Sequence, residues 1–256
     1  MIKATKLEIG YQKGRNQRSV QKNLEFTARE GEFIALVGPN GCGKSTLLKT
    51  MGCLLHPLSG FLEMNGKSVD QISLQERAKL FSLVLTETVT VGYITVYQMV
   101  SMGRHPYTTF AGKLGKQDQQ IVDESLNAVN MSSMSQNYLQ ELSDGERQRV
   151  MIAKALAQTT PMIFLDEPTS HLDLPNRIET ILLLKNLSKE TGKTILISTH
   201  EIDMALRLAD KIWLMEKGNG LWSGKPQEML ENGKLQSVFK SDNFGFDVES
   251  GRVIIF

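Results

Sequence analysis

The run Gly38-Pro39-Asn40-Gly41-Cys42-Gly43-Lys44-Ser45 constrains this chain more than any other part of its sequence. It fits G-x-x-x-x-G-K-[ST] in full. It follows the apolar stretch Phe33–Val37 and leads into Thr46-Leu47-Leu48-Lys49, which reads as a helix opening. Strand, glycine-rich turn and helix in that order make a phosphate-binding unit of α/β proteins. Glycines let backbone N–H groups curl around phosphate oxygens, and the helix N-terminus adds the positive end of its dipole. Lys44 would set a cation between β- and γ-phosphates, and the Ser45 hydroxyl would ligate Mg²⁺. A plain glycine-rich turn is the bland alternative, and full pattern plus context weighs against it.

The remaining pattern supports α/β. Residues 162–165 (MIFL), Thr194–Ser198 and 211–215 (KIWLM) are short continuous apolar runs, as expected of parallel strands buried on both faces. Helical stripes alternate with them: Ile178, Ile181 and Leu182 after Pro175, and Ile121, Ser125, Leu126 and Val129. Before Phe33, residues 6–9 and 23–27 read as short antiparallel strands, and 61–64 before Asn65-Gly66 is a similar piece. Apolar strands vanish between residues 87 and 158. The expected organisation is one domain over 1–256. Residues 1–86 and 159–256 form the nucleotide-binding core with its β subdomain, and 87–158 form an inserted helical subdomain. The tail, 244–256, alternates around Glu249-Ser250-Gly251 and suggests a terminal hairpin.

Bulk properties narrow the function. A chain of 256 residues buries about 75% of its unfolded surface without needing disulfides. Cys42 and Cys53 make no disulfide framework, which fits a reducing compartment. With 29 basic and 28 acidic residues, a broad basic face for nucleic acid is not expected. Lys13, Arg15 and Arg18 read as a solvated basic turn, with a phosphate or lipid contact as the lesser alternative. The start, MIKATKLEIG, lacks the apolar region of a signal peptide. No apolar run approaches the ~18–20 residues that span a bilayer, so any membrane link should run through another protein.

Two further motifs carry chemistry. Residues 162–165 end in Asp166-Glu167, two carboxylates at a strand end, where open α/β sheets bind ligands. Asp166 would hold Mg²⁺, directly or through water, and Glu167 would accept the proton of an attacking water. Leu142-Ser143-Asp144-Gly145-Glu146-Arg147-Gln148-Arg149 precedes a helix running through Val150, Ala153, Leu156 and Ala157. Ser143 and Glu146 have capping-box spacing, and a capped helix N-terminus is also an anion site.

At LSDGE the chain resembles the ATP-binding cassette (ABC) family, whose hallmark is an LSGGQ-like signature shortly before the acidic strand. Asp144 and Glu146 are variants of that motif. The resemblance implies an ABC-type P-loop NTPase core hydrolysing ATP with Mg²⁺. It implies that Tyr11 stacks on adenine, that residues 38–46, Thr46 included, line the nucleotide, that Ser170-His171-Leu172-Asp173 is the D-loop, and that His200 is the switch histidine near the γ-phosphate. It also implies a head-to-tail homodimer in which each ATP lies between one chain's phosphate loop and the other's Ser143, Asp144, Gly145 and Glu146. His56, His105 and His171 share no metal-ligand spacing and read as structural or solvated.

Thr95-Val96-Tyr97-Gln98-Met99-Val100 followed by Ser101-Met102-Gly103-Arg104-His105-Pro106 looks like a run found in importers of iron–siderophore, haem and cobalamin. There this region receives a helix from the membrane permease. The implied chain is a peripheral ATPase on the cytoplasmic face of the cell membrane, served indirectly by a substrate-binding protein. A soluble non-transport ABC ATPase, a regulatory module without turnover and an exporter ATPase are the competing readings. One position departs from the family: where it usually has a glutamine, Leu83-Val84-Leu85-Thr86-Glu87-Thr88-Val89 has Thr86. Hydrolysis is expected to survive, with Thr86 or Glu87 taking over a water-mediated Mg²⁺ contact.

Overall fold

The computed structural model describes all residues except Arg15, 87–91, 109–111, Asn219, 240–243, 248–252 and Phe256. Strands β1 (Ile2–Lys13) and β2 (Asn16–Ala28) form a long hairpin before β3 (Phe33–Val37). Then come α1 (Lys44–Met51), β4 (Ser59–Met64), β5 (Lys67–Ser68), α2 (Leu74–Leu80) and β6 (Phe81–Val84). Helices α3 (Val96–Ser101), α4 (Lys116–Ala128) and α5 (Asp144–Ala157) follow with no named strand among them. The chain returns through β7 (Met162–Asp166), α6 (Leu174–Thr191), β8 (Thr194–Ser198), α7 (Ile202–Leu208), β9 (Lys211–Glu216) and β10 (Gly220–Gly224). It ends in α8 (Pro226–Glu231), α9 (Lys234–Val238), β11 (Phe244–Phe246) and β12 (Val253–Ile255).

The main sheet has the order β10-β9-β3-β8-β7-β6, parallel from β9 to β6, with β10 antiparallel at one edge. A second, antiparallel sheet has the order β2-β1-β4-β5. The main sheet is a wall between two cores. Phe33, Ala35 and Val37 pack into one cluster, and Ile34 and Leu36 into the other. The same alternation holds in β7 (Ile163 and Leu165 against Met162 and Phe164) and β9 (Ile212 and Leu214 against Trp213 and Met215). Burial on both faces is why these strands read as unbroken apolar runs.

Some expectations need adjusting. The short early strands are parts of one long hairpin, because register shifts along β1 let pairing continue past the polar residues. The stripe on α6 is only partly buried: Ile181 is sealed, while Ile178 and Leu182 are each 40% exposed. On α4, Ser125, Leu126 and the following Val129 are buried as the spacing suggests. The tail strands β11 and β12 do pair antiparallel, and their connecting turn lies outside the described residues.

Arg104, in the importer-like run, is an internal clasp. It is 5% exposed and donates to Asp118 at 2.9 Å, to the Ala157 carbonyl at 2.7 Å and to Thr159 at 2.9 Å. A buried guanidinium needs such partners. Here it joins the start of α4 to the end of α5.

Candidate nucleotide site

The phosphate loop joins β3 to α1 at the C-terminal end of the parallel sheet. Gly41 (φ 73) and Gly43 (φ 113) take left-handed backbone that L-residues resist. A Cβ on Gly43 would sit 2.8 Å from Val20 Cγ1, so the loop lies close against β2. Gly43 caps α1 with no side-chain acceptor, and the first turn has no acidic residue. Lys44 is buried, and its ammonium donates to the Gly38 carbonyl at 2.9 Å and the Pro39 carbonyl at 3.5 Å.

A cavity of about 380 Å³ opens over this loop, with Tyr11, Arg18, Asn40, Lys44 and Glu167 on its wall beside Gly41, Gly43, Ser45 and Thr46. Tyr11 is 46% exposed, and its phenol lies 3.2 Å from the Thr46 hydroxyl, which fixes the ring at the cavity's rim. Gly38, Pro39 and Cys42 are not on that wall. The first two hold Lys44 through their carbonyls. Cys42 is buried, and burial pushes its thiol pKa up.

The acidic turn meets the loop from the neighbouring strands. Asp166 is 5% exposed and accepts from the Ser45 hydroxyl at 3.1 Å and from the Ser198 hydroxyl at 2.6 Å. Ser198 in turn accepts from the Glu167 backbone N–H at 2.9 Å. Glu167 has φ 47, a strained value for a non-glycine residue of the kind that gathers at functional sites. Its carboxylate Oε1 lies 2.5 Å from His200 Nε2. The Thr86 hydroxyl donates to the Asp166 carbonyl at 2.9 Å, tying the end of β6 to the end of β7. Glu87, the alternative partner, lies outside the described residues.

The oxygens of Ser45 and Asp166 are hard donors beside a phosphate cradle, which suits Mg²⁺. That ion takes one or two protein oxygens and fills its shell with phosphate and water. Among the described residues no cluster of three His, Cys, Asp or Glu could hold a metal unaided, so the nucleotide itself would have to complete the shell.

The signature residues stand apart from the loop. Ser143 caps α5 with the reciprocal box: Glu146 N–H donates to Ser143 Oγ at 3.3 Å, and Ser143 N–H donates to Glu146 Oε2 at 2.8 Å. Hydrogen bonds from the Ser143 hydroxyl and N–H hold the Glu146 carboxyl below the usual glutamate range. Asp144 pairs with Arg147 at 3.0 Å. Asp144 and Ser170 do face Thr86 and Glu167 across a second cavity of about 350 Å³. Asp173 caps α6, accepting from Asn176 N–H at 3.1 Å.

Two residues were not among the main site expectations. Ser198 orders both carboxylate positions, and its only signal was adjacency to Thr199-His200. Arg18 lines the cavity because it pairs across the hairpin with Tyr11, a position that fits the lesser, phosphate-contact alternative better than a solvated turn.

An open parallel sheet with this loop at its centre defines a P-loop nucleotide-binding protein. The chain belongs to the ABC transporter family, which it matches over residues 21–170, more than half its length. It is an ABC ATPase. It is 38% identical to an uncharacterized ABC transporter ATP-binding protein of Methanocaldococcus jannaschii, over 96% of this chain and 83% of that one. It is 35% identical to the iron(3+)-hydroxamate import ATP-binding protein of Bacillus subtilis, over 94% and 88%. Among solved structures it resembles an ABC transporter of proposed metal-chelate type in an inward-facing conformation, with TM-score 0.82, 26% identity and coverage of 100% and 96%. It also resembles a dimeric ATP-binding cassette bound to ADP and Pi, with TM-score 0.76, 27% identity and coverage of 88% and 99%. No described helix is long and apolar enough to cross a membrane.

Proposed function

We propose that this chain is the ATP-hydrolysing subunit of an importer that takes up an iron complex, a siderophore or haem, with cobalamin as the neighbouring substrate class. It would work as a homodimer at the cytoplasmic face of the membrane, bound to permease subunits that a substrate-binding protein supplies. Residues 87–158 would act as the helical unit that faces the permease. The observation that carries the reading is the contact between Glu167 and His200 at 2.5 Å, set beside Ser45–Asp166. The groups that hydrolysis requires meet at adjoining strand ends, in a chain similar to an iron(3+)-hydroxamate import protein.

The roles follow from position. Tyr11 would stack on adenine, while Lys44 and the α1 N-terminus would hold the phosphates. Glu167 would take the proton of the attacking water, with His200 orienting its carboxylate and Ser198 fixing its backbone. Mg²⁺ on Ser45 and Asp166 would supply charge neutralisation at the β- and γ-phosphate oxygens. The partner's Ser143 and Gly145 would bring a helix N-terminus to the γ-phosphate, where its positive end would stabilise the developing charge. The Thr86 hydroxyl donates its hydrogen bond to a carbonyl, so its oxygen lone pairs stay open to a water-mediated metal contact.

Steady-state ATPase of Thr86→Ala and Glu87→Ala tests the last step; wild-type rates in both would remove it. The wider reading is tested by pull-down from native membranes with Glu167→Gln and ATP. A many-spanning permease should come with it. Recovery of soluble partners alone would overturn the transport assignment.

A further inference from the structure

Gln21 lies on β2, outside the sequence of every motif of the site, and is 1% exposed. Its side-chain amide joins three separate parts of the chain. Nε2 donates to the Cys42 carbonyl at 2.8 Å and to the Glu216 carbonyl at 2.5 Å, and Oε1 accepts from the Gly220 N–H at 3.2 Å. Both amide protons and the oxygen are used, so the group sits in one orientation. Glu216 ends β9 and Gly220 opens β10, so the far anchor is the β9–β10 turn.

The grip on Cys42 has a geometric consequence. In a trans peptide the C=O and the following N–H point in opposite directions. Holding the Cys42 carbonyl toward β2 turns the Gly43 N–H away from β2. Gly43 lies on the wall of the cavity over the loop, and its backbone touches β2 so closely that a Cβ would meet Val20. The peptide between Cys42 and Gly43 therefore has no freedom to rotate while Gln21 is in place.

We propose that Gln21 is a positioning residue for nucleotide binding: it locks the Cys42–Gly43 peptide so that the Gly43 N–H faces the phosphate position. The same brace joins the hairpin carrying Tyr11 to the phosphate loop, so base and phosphate ends are held in register. The inference rests on the nucleotide reading above.

The test uses Gln21→Met, of similar length and without hydrogen bonds, in a Cys53→Ser background. Affinities for ATP and AMP are measured by titration, and alkylation of Cys42 by iodoacetamide is followed in nucleotide-free protein. Loss of the lock should weaken ATP about tenfold and AMP by clearly less, since AMP brings one phosphate to the loop and ATP brings three. Cys42, buried behind the held peptide, should alkylate at least about fivefold faster as the loop opens locally. Unchanged ATP affinity in the folded variant overturns the proposal, and so does an equal loss for ATP and AMP, which would mark general damage. Gln21→Asn covers the case in which Gln21→Met does not fold. It keeps the amide one methylene short of its partners, and wild-type ATP affinity in that variant overturns the proposal as well. Failure of the unsubstituted protein to bind ATP would instead sink the nucleotide reading, and the two failures are told apart by that control.

Discussion

Two helix N-termini in this molecule are built from opposite materials. Helix α1 begins at a left-handed glycine with no capping side chain and no acid in its first turn. Helix α5 begins at Ser143, closes a capping box with Glu146, and carries Asp144 and Glu146 in its first turn. Every helix start leaves N–H groups without partners. At α5 the capping box takes up the Glu146 and Ser143 N–H groups, and two carboxylates already complement the dipole. At α1 the side-chain acceptors are withheld, so those donors suit an anionic ligand. The difference separates two jobs. In the proposed mechanism one N-terminus would capture phosphate on its own. The other is a capped helix start that would join a phosphate site only when a second chain brings the phosphate to it.

The largest effect should come from spoiling the capturing end. Gly43→Ala would force a Cβ to within 2.8 Å of Val20 Cγ1 at φ 113. ATP affinity should fall about a hundredfold or more, measured by equilibrium titration, from strain and clash together. Ser143→Ala should behave differently. It should cost about 1 kcal/mol of stability in urea unfolding and lower turnover about tenfold, while monomer affinity for ATP stays within about twofold. An ATP-affinity loss as large as that of Gly43→Ala would erase the distinction between the two ends.

How much of this was legible in advance depends on the range of the signal. The phosphate loop and the acidic strand are contiguous, so their composition announces them. The two-sided sheet was equally legible, because burial on both faces keeps charged residues out of the middle of a strand. What stayed hidden is what distant segments do to one another. Gln21 looks like any polar residue on a strand until the β9–β10 turn arrives beside it. Arg104 reads as one residue of an importer-like run until Asp118 and Ala157 surround it. The exposed flanks of α6 show the reverse case, since apolar spacing gives a face without saying what covers it.

A smaller effect sharpens the comparison at α5. Glu146→Gln keeps a capping box, since glutamine serves at that position, but removes a negative charge from the proposed phosphate position. Turnover should rise about two- to threefold at low salt and converge with wild type at high salt, where screening removes the repulsion. The smallest effect is in acid. Because the folded Glu146 value is lowered, its contribution to stability is complete above the ordinary glutamate pKa. It is lost as pH falls through the folded value. In that window the melting temperature of the wild type should drop faster than that of Glu146→Gln, and parallel curves would show that the box adds nothing.

Gly145 has a consequence for how substitutions in this chain are interpreted. A Cβ there would lie 2.9 Å from Oδ1 of Asn176, whose amide is itself bound at 2.7 Å to the α6 cap Asp173. A side chain there would have to displace the Asn176 amide from Asp173, so the glycine also serves its own chain, as the notch into which the start of α6 fits. A Gly145 replacement that abolishes turnover would not by itself report a lost contact with a second subunit. It would equally report a signature helix pushed off the D-loop of the same subunit. Assigning the defect takes mixed dimers, in which the replacement and the intact ATP site are placed on known sides.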